Sequence, residues 1–202
     1  MAYHLVESIL GDKAPPVGKL LGEGFHGQVF EVPGDEDKVI KYSRMLETMS
    51  VPPLKEFYNN LTAVLAEQKK NAYPCYVNIL DFHFLYEGKH PRHTYQNYIL
   101  YSVLMEKLIP ISFDEKRVFD TIVKGKGTVE ELVAGQKDWL IFEPKKVLAF
   151  MSQVNSTPIF HNDFNSRNIM KDSEGNFKLI DLDYAEIKRD NNYEVDRFKR
   201  TE

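Results

Sequence analysis

Phe160-His161-Asn162-Asp163-Phe164-Asn165-Ser166-Arg167-Asn168-Ile169-Met170, followed after a glycine-containing turn by Lys178-Leu179-Ile180-Asp181-Leu182-Asp183, is the stretch on which the fold turns. Asn168 stands five residues after Asp163, and Asp181 thirteen after Asn168. A single Asp or Asn in a loop is most often a turn-former, because its short side chain bonds its own backbone. The joint pattern is more specific, since three polar residues at fixed intervals surround a predicted hairpin with apolar flanks.

Upstream of this stretch the pattern is helical back to Pro110. The segments 113–123 (FDEKRVFDTIV), 129–140 (VEELVAGQKDWL) and 144–155 (PKKVLAFMSQVN) each offer an apolar face, and Gly125 and Gly127 break between the first two. The first half differs. VGKLLGEG (17–24), QVFEV (28–32) and KVIKY (38–42) read as strands joined by a glycine turn and a polar PGDED turn. Pro52 and Pro53 then open a segment in which Leu54, Phe57, Leu61, Val64 and Leu65 recur at helical spacing. VNILDFHFLY (77–86) and NYILYSVLME (97–106), rich in β-branched and aromatic residues, flank a polar turn around EGKHPRH and read as a strand pair. The change of character at residues 106–110 is the expected boundary, dividing the chain into 1–107 and 108–202.

Gly22-Glu-Gly24-Phe-His-Gly27-Gln-Val29 forms a G-x-G-x-x-G-x-V pattern between two expected strands. Glycines let backbone N–H groups approach phosphates without side chains in the way. Alone the pattern also fits a dinucleotide loop or a hairpin with no ligand, but a dinucleotide loop leads into a helix and this one leads into a strand. Lys41 ends the third strand, fourteen residues past Gly27. It is either an exposed strand-end lysine or a phosphate clamp, and the glycine loop upstream favours the clamp.

Taken in order, the glycine loop, Lys41 and the 160–183 stretch resemble the protein-kinase-like superfamily over about residues 17–184. The resemblance implies an α+β, bilobal protein-kinase-like fold, with a five-stranded antiparallel N-lobe sheet carrying one helix and a truncated, mostly helical C-lobe. It implies ATP and Mg2+ as cofactors. Asp163 would accept the acceptor hydroxyl's proton, Asn168 and Asp181 would hold the metal, and Gly22, Gly24, Gly27, Val29 and Lys41 would cover and clamp the nucleotide. Glu67 would orient Lys41, with Glu56 as the fallback. Met105 would be the gatekeeper, and the backbone of Glu106 and Leu108 would meet the adenine, which in kinases lies between the lobes; the ordinary reading of VLMEKL is a buried strand and a turn. His161 would fix the loop through hydrogen bonds, with a metal ligand as the alternative.

Departures from the protein-kinase pattern narrow the expectation. Asn162 stands where Arg is common, which removes the usual partner of a phosphorylated activation loop. Asn165 replaces a common Lys; it would donate a hydrogen bond to a phosphate without bringing charge, with Arg167 as a compensating cation. Asp183 replaces the closing Gly and is either a further metal carboxylate or a surface residue. The strings His161-Asn162-Asp163 and Ile180-Asp181-Leu182-Asp183-Tyr184 look more like choline kinases and aminoglycoside phosphotransferases. Only 21 residues follow Asp181, which leaves little material for the small-molecule pocket of those enzymes. The chain therefore resembles minimal bacterial effector kinases and phage-encoded kinases, which phosphorylate proteins or bind host partners.

Composition bounds the rest. At 202 residues with 43% hydrophobic and 12% aromatic content, the chain can bury a real core. A net charge of −4 supplies no global field for nucleic acid or anionic lipid. No apolar run approaches a membrane span, and the start of the chain lacks an export pattern. The lone Cys75 fits a reducing compartment, so the expected location is cytoplasmic, or the host cytoplasm for a viral or secreted effector. Three functions follow: a minimal Ser/Thr protein kinase acting on a protein substrate, a small-molecule kinase of the choline or aminoglycoside type, and a pseudokinase-like module that binds a partner.

Overall fold

The computed structural model describes residues 2–24, 27–46, 54–90, 93–124, 131 and 143–187. It is a mixed α+β protein built on a five-stranded antiparallel sheet. The chain forms two compact units, Met1–Leu65 with Asn78–Lys107, and Ala66–Val77 with Leu108–Glu202. Among the described residues no helix is long and apolar enough to cross a membrane.

In the first unit, β1 (Leu20–Glu23), β2 (Gly27–Val32), β3 (Asp35–Leu46), β4 (Ile79–His90) and β5 (His93–Glu106) pair in the order β1-β2-β3-β5-β4. Pro33 and Gly34 make the β2–β3 turn, Gly34 taking a φ of 80° that a side chain would resist. β1 is shorter than the expected 17–24, and β2 to β5 run longer than the sequence pattern indicates. β3 starts inside the expected PGDED turn, and β4 and β5 extend into EGKHPRH, with His90 opposite His93. Lys89 and Glu87 are exposed there, so this end of the ribbon carries polar residues that mimic a turn signal.

A helix that the sequence pattern did not announce, α1 (Ala2–Leu10), covers one face of this sheet. Val6 packs with Phe30, Tyr42, Tyr98 and Leu100, and the Tyr3 ring lies 5.1 Å from Phe30 and 5.2 Å from Tyr42. The Tyr3 N–H donates to Gln28 Oε1 at 3.0 Å, tying the helix start to β2. Helix α2 (Leu54–Asn71) buries the expected Leu54, Phe57, Leu61, Val64 and Leu65. Its Phe57 meets Tyr101 of β5 (6.2 Å between rings) and its Tyr58 meets Phe84 of β4 (4.0 Å). Tyr98 and Tyr101 point to opposite faces of β5, so α1 and α2 lie on opposite sides of the sheet.

The second unit takes in the end of α2 and residues up to Val77, which a single cut at residue 107 would leave in the first. Val77 N–H donates to Leu179 O and Leu179 N–H to Cys75 O, both at 2.8 Å, while Gln68 Nε2 donates to Val77 O at 3.0 Å. This unit contains β6 (Ile109–Pro110), α3 (Phe113–Lys124), α4 (Pro144–Ser156), β7 (Ile159–Phe160), β8 (Ile169–Lys171), β9 (Phe177–Leu179) and β10 (Glu186–Ile187). Pairing is β6-β8-β9 and β10-β7. Ser112 and Glu115 start α3 as a capping box: Ser112 N–H donates to Glu115 Oε2 at 2.7 Å and Glu115 N–H to Ser112 Oγ at 3.2 Å. Pro144 sits in the first turn of α4, where its missing N–H costs nothing. Phe119, Phe150 and Phe177 form the aromatic core, with ring centroids 5.0–6.0 Å apart. Of the segment expected to be helical over 129–140, only Glu131 is described; the tail beyond Ile187 and the pair 25–26 of the glycine motif lie outside the described residues.

Candidate functional site

The first unit carries the glycine motif and Lys41. Gly22 lies in β1 and Gly27 opens β2, with Gly24 N–H donating to Gly27 O at 2.8 Å across the turn. The glycines are not equivalent. A Cβ at Gly22 or Gly24 would meet open space, whereas at Gly27 it would stand 2.6 Å from Tyr42 O, 2.7 Å from Ser43 Oγ and 3.4 Å from Lys41 Cε. Gly27 is therefore required by the packing, and the Lys41 side chain runs alongside it. Val29 and Val103 flank Lys41 across β2 and β5, so all three share a face of the sheet. Met105 pairs with Val39 and Ile79 as a strand residue, and Glu106 N–H donates to Asn78 O at 3.2 Å while its Oε1 accepts from Asn78 N–H at 2.7 Å. Glu56 is exposed in the first turn of α2.

In the second unit, Glu67 Oε1 accepts from Tyr73 Oη and Asn71 Nδ2, each at 2.7 Å. Burial, followed by that bond to Glu67, pushes the Tyr73 phenol up to about 12. Leu108 is half-buried just before β6.

The loop between β7 and β8 brings the central residues together. Asn165 caps a 3-10 turn, Ser166–Asn168, its Oδ1 accepting from Arg167 N–H at 2.9 Å. Its Nδ2 donates to Asp163 O at 3.0 Å and to Asp163 Oδ1 at 2.9 Å. Asn168 Nδ2 donates to Asp163 O at 2.9 Å and to Asp163 Oδ2 at 3.0 Å. Each oxygen of the Asp163 carboxylate thus accepts from one neutral amide, which fixes its direction and leaves lone pairs for a further proton. Asp163 is exposed, Asn165 half-buried and Asn168 8% exposed, so the carboxylate is open on one side and held on the other.

Asp181 joins this group through the backbone, because Ile180 N–H donates to Asn168 O at 2.9 Å. The β8–β9 hairpin makes that contact possible. It turns at Gly175 (φ 79°), and Asp172 Oδ1 accepts from the N–H groups of Glu174 and Asn176. Burial raises the Asp172 carboxyl, but the bonds from Asn176 and Glu174 outweigh it and hold the group below the usual carboxylate range. Asp181 itself is left-handed, φ 62° and ψ 63°, a conformation costing an L-residue about 1–2 kcal/mol and taken most readily by Asn and Asp.

His161 is 7% exposed and fixed: Nε2 lies 2.7 Å from Ile180 O and donates to it, while Nδ1 has no hydrogen-bond partner among the described residues. Burial lowers its pKa, outweighing the opposing effects of the Ile180 carbonyl and the Asp181 and Asp163 carboxylates. This is the structural role expected for it. Asp183, for which a surface position was one expectation, is 6% exposed and belongs to the interior. Asn165, expected to donate to a phosphate, has its Nδ2 turned to the backbone and carboxylate oxygens of Asp163.

Three residues that the spacing did not mark also hold the loop. Phe164 stacks on Phe150 of α4 (6.4 Å), Tyr76 Oη donates to Ile159 O at 2.9 Å, and Lys171 Nζ pairs with Glu115 Oε1 at 2.9 Å. Only the alternation of apolar and polar residues around Asp163 hints at the first. As for a metal, the described residues contain no group of three or more His, Cys, Asp or Glu side chains able to hold one. Asn168 Oδ1, left over when Nδ2 turns to Asp163, and the Asp181 carboxylate are nonetheless hard oxygen donors. That set suits Mg2+, which is held by one or two carboxylates together with substrate phosphates.

No protein-family model matches the chain, and no curated protein matches it in sequence. Among solved structures it is similar to WbdD, described as a co-crystal structure with the kinase inhibitor LY294002, at 14% identity and a TM-score of 0.44. The match covers 86% of this chain and 33% of WbdD, so the chain spans about a third of that protein's length.

Proposed function

We propose that the chain is an ATP-dependent phosphotransferase with a protein-kinase-like fold, and most specifically a minimal Ser/Thr protein kinase. The observation that carries this reading is the Asp163 carboxylate, exposed yet aimed by the amides of Asn165 and Asn168, with Asn168 bonded through its backbone to the residue before Asp181. That is a general base beside two oxygen donors for a cation, and phosphoryl transfer asks for little more than positioning and charge neutralisation. Asn168 and Asp181 would hold Mg2+, which would supply positive charge to the phosphates.

In this reading Asp163 takes the proton of the acceptor hydroxyl as its oxygen bonds to the γ-phosphorus. The bond from that phosphorus to the β,γ-bridging oxygen breaks, and ADP leaves. Gly22, Gly24 and Gly27 let the backbone of the loop come close to the phosphates, and Lys41 supplies positive charge. Asn165 keeps the base in register. Met105, Glu106 and Leu108 are the proposed adenine contacts, and Glu67, with Glu56 as fallback, the partner of Lys41.

Acceptor class is tested by ADP release from MgATP, measured with a protein acceptor and with a panel of amino alcohols and aminoglycosides. Release driven by protein supports the proposal. Release driven only by a small alcohol moves the chain to the choline and aminoglycoside type, and nucleotide binding without turnover in any sample identifies a pseudokinase-like module.

A further inference from the structure

Three consecutive residues at the start of the loop each hold a different point of the segment after β9. Phe160 pairs with Glu186 in the β7–β10 ladder, His161 Nε2 donates to Ile180 O at 2.7 Å, and Asn162 Nδ2 donates to Tyr184 O at 2.8 Å. Asp181 and the 3-10 turn Leu182–Tyr184 lie between these ties. All three end on backbone atoms of residues 180–187, and none uses a charged side chain. The first two are backbone pairing and a buried ring, both part of the core. The third is made by an exposed side chain and meets the span between the other two, at Tyr184.

From this we infer that Asn162 is a positioning residue, holding the Asp181 segment against the Asp163 loop permanently, so that alignment of base and metal carboxylate needs no phosphorylation of the chain. The inference rests on the roles proposed for Asp163 and Asp181. Its physical basis is geometric: a neutral amide on a backbone carbonyl is made whenever the chain is folded, whereas an arginine on a phosphate forms only after modification. Asn162 also limits the left-handed Asp181 from relaxing, because Tyr184 is three residues away and fixed.

Hydrogen exchange of the full chain, resolved by peptide, gives a readout independent of activity. Asn162→Ala is expected to speed exchange over residues 181–187 about fivefold, the factor for one net hydrogen bond, while α4 is unchanged. Asn162→Asp, which keeps the shape and loses the donor, should do the same. Unchanged exchange in both variants overturns the inference, as does faster exchange in the wild-type chain after phosphatase treatment. A second measurement separates positioning from general loosening: Asn162→Ala should weaken ADP binding about fivefold with Mg2+ and leave it unchanged in chelator. Equal weakening in both overturns a role directed at the metal carboxylate. Wild-type protein that binds no ADP at all refutes the kinase reading instead, and the exchange result then decides whether the tie exists.

Discussion

Replacing Glu115 tests how the second unit is held together beneath the loop. Glu115 is 7% exposed; Oε2 accepts from Ser112 N–H at 2.7 Å and Oε1 accepts from Lys171 Nζ at 2.9 Å, linking the start of α3 to β8. Burial raises its carboxyl pKa, but the Ser112 N–H and the Lys171 ammonium outweigh that and hold it below the usual value. Glu115→Ala removes half of the capping box, about 1 kcal/mol, and strands a partly exposed Lys171, which raises the total to about 2–4 kcal/mol. Glu115→Gln keeps an acceptor for Ser112 and loses only the charge, so about 1–2 kcal/mol is expected. The folded pKa is depressed, so the charge-dependent stabilisation is fully present above the unfolded value near 4.5 and is lost as pH falls through the folded value. Urea unfolding followed by circular dichroism at pH 7, 5 and 4 should show the gap between wild type and Glu115→Gln constant from 7 to 5 and shrinking towards 4. A gap that is absent at pH 7, or that stays the same at pH 4, refutes this account of the pair.

The glycine loop separates packing from function: Gly27→Ala meets Tyr42 O and should destabilise the first unit in thermal melts, while Gly24→Ala, facing open space, should leave the melt unchanged. His161 gives a second pH dependence. Its folded pKa is depressed by burial, so the unfolded chain takes the proton first and stability falls as pH drops below about 6.5; the slope between pH 6.5 and 5.5 should flatten in His161→Gln. Phe119→Ala, at 0% exposure between Phe150 and Phe177, should cost about 3–5 kcal/mol in urea unfolding.

Strand and helix identities were readable in the sequence wherever periodicity and punctuation agree. Val39, Tyr42, Tyr98 and Tyr101 mark strands by type, Pro33-Gly34 marks the turn, and the heptad-like spacing from Leu54 to Leu65 marks α2. Helix α1 is different in kind. Nine residues are too few to hold a helix in water, and Val6 and Tyr3 gain order only from a sheet face that the local sequence does not display. Residues 66–77 join the second unit through backbone bonds to Leu179, which leave no mark on side-chain pattern. The spacing of Asp163, Asn168 and Asp181 says which residues a loop can gather. It does not say which acceptor an amide will choose, and so the turn of Asn165 onto Asp163 and the burial of Asp183 emerge only with the fold.

The central claim is that Asp163 is the base of a phosphoryl transfer from ATP. Its most direct test is transfer of label from γ-labelled MgATP to a generic protein acceptor, with Asp163→Ala and Lys41→Ala prepared in parallel. The account predicts label on the acceptor with the wild-type chain and a loss of at least about 10²-fold in Asp163→Ala, the scale of a missing general base. Label that persists undiminished in Asp163→Ala, or a chain that binds MgATP and yet neither labels protein nor releases ADP with any acceptor of the panel, would contradict it.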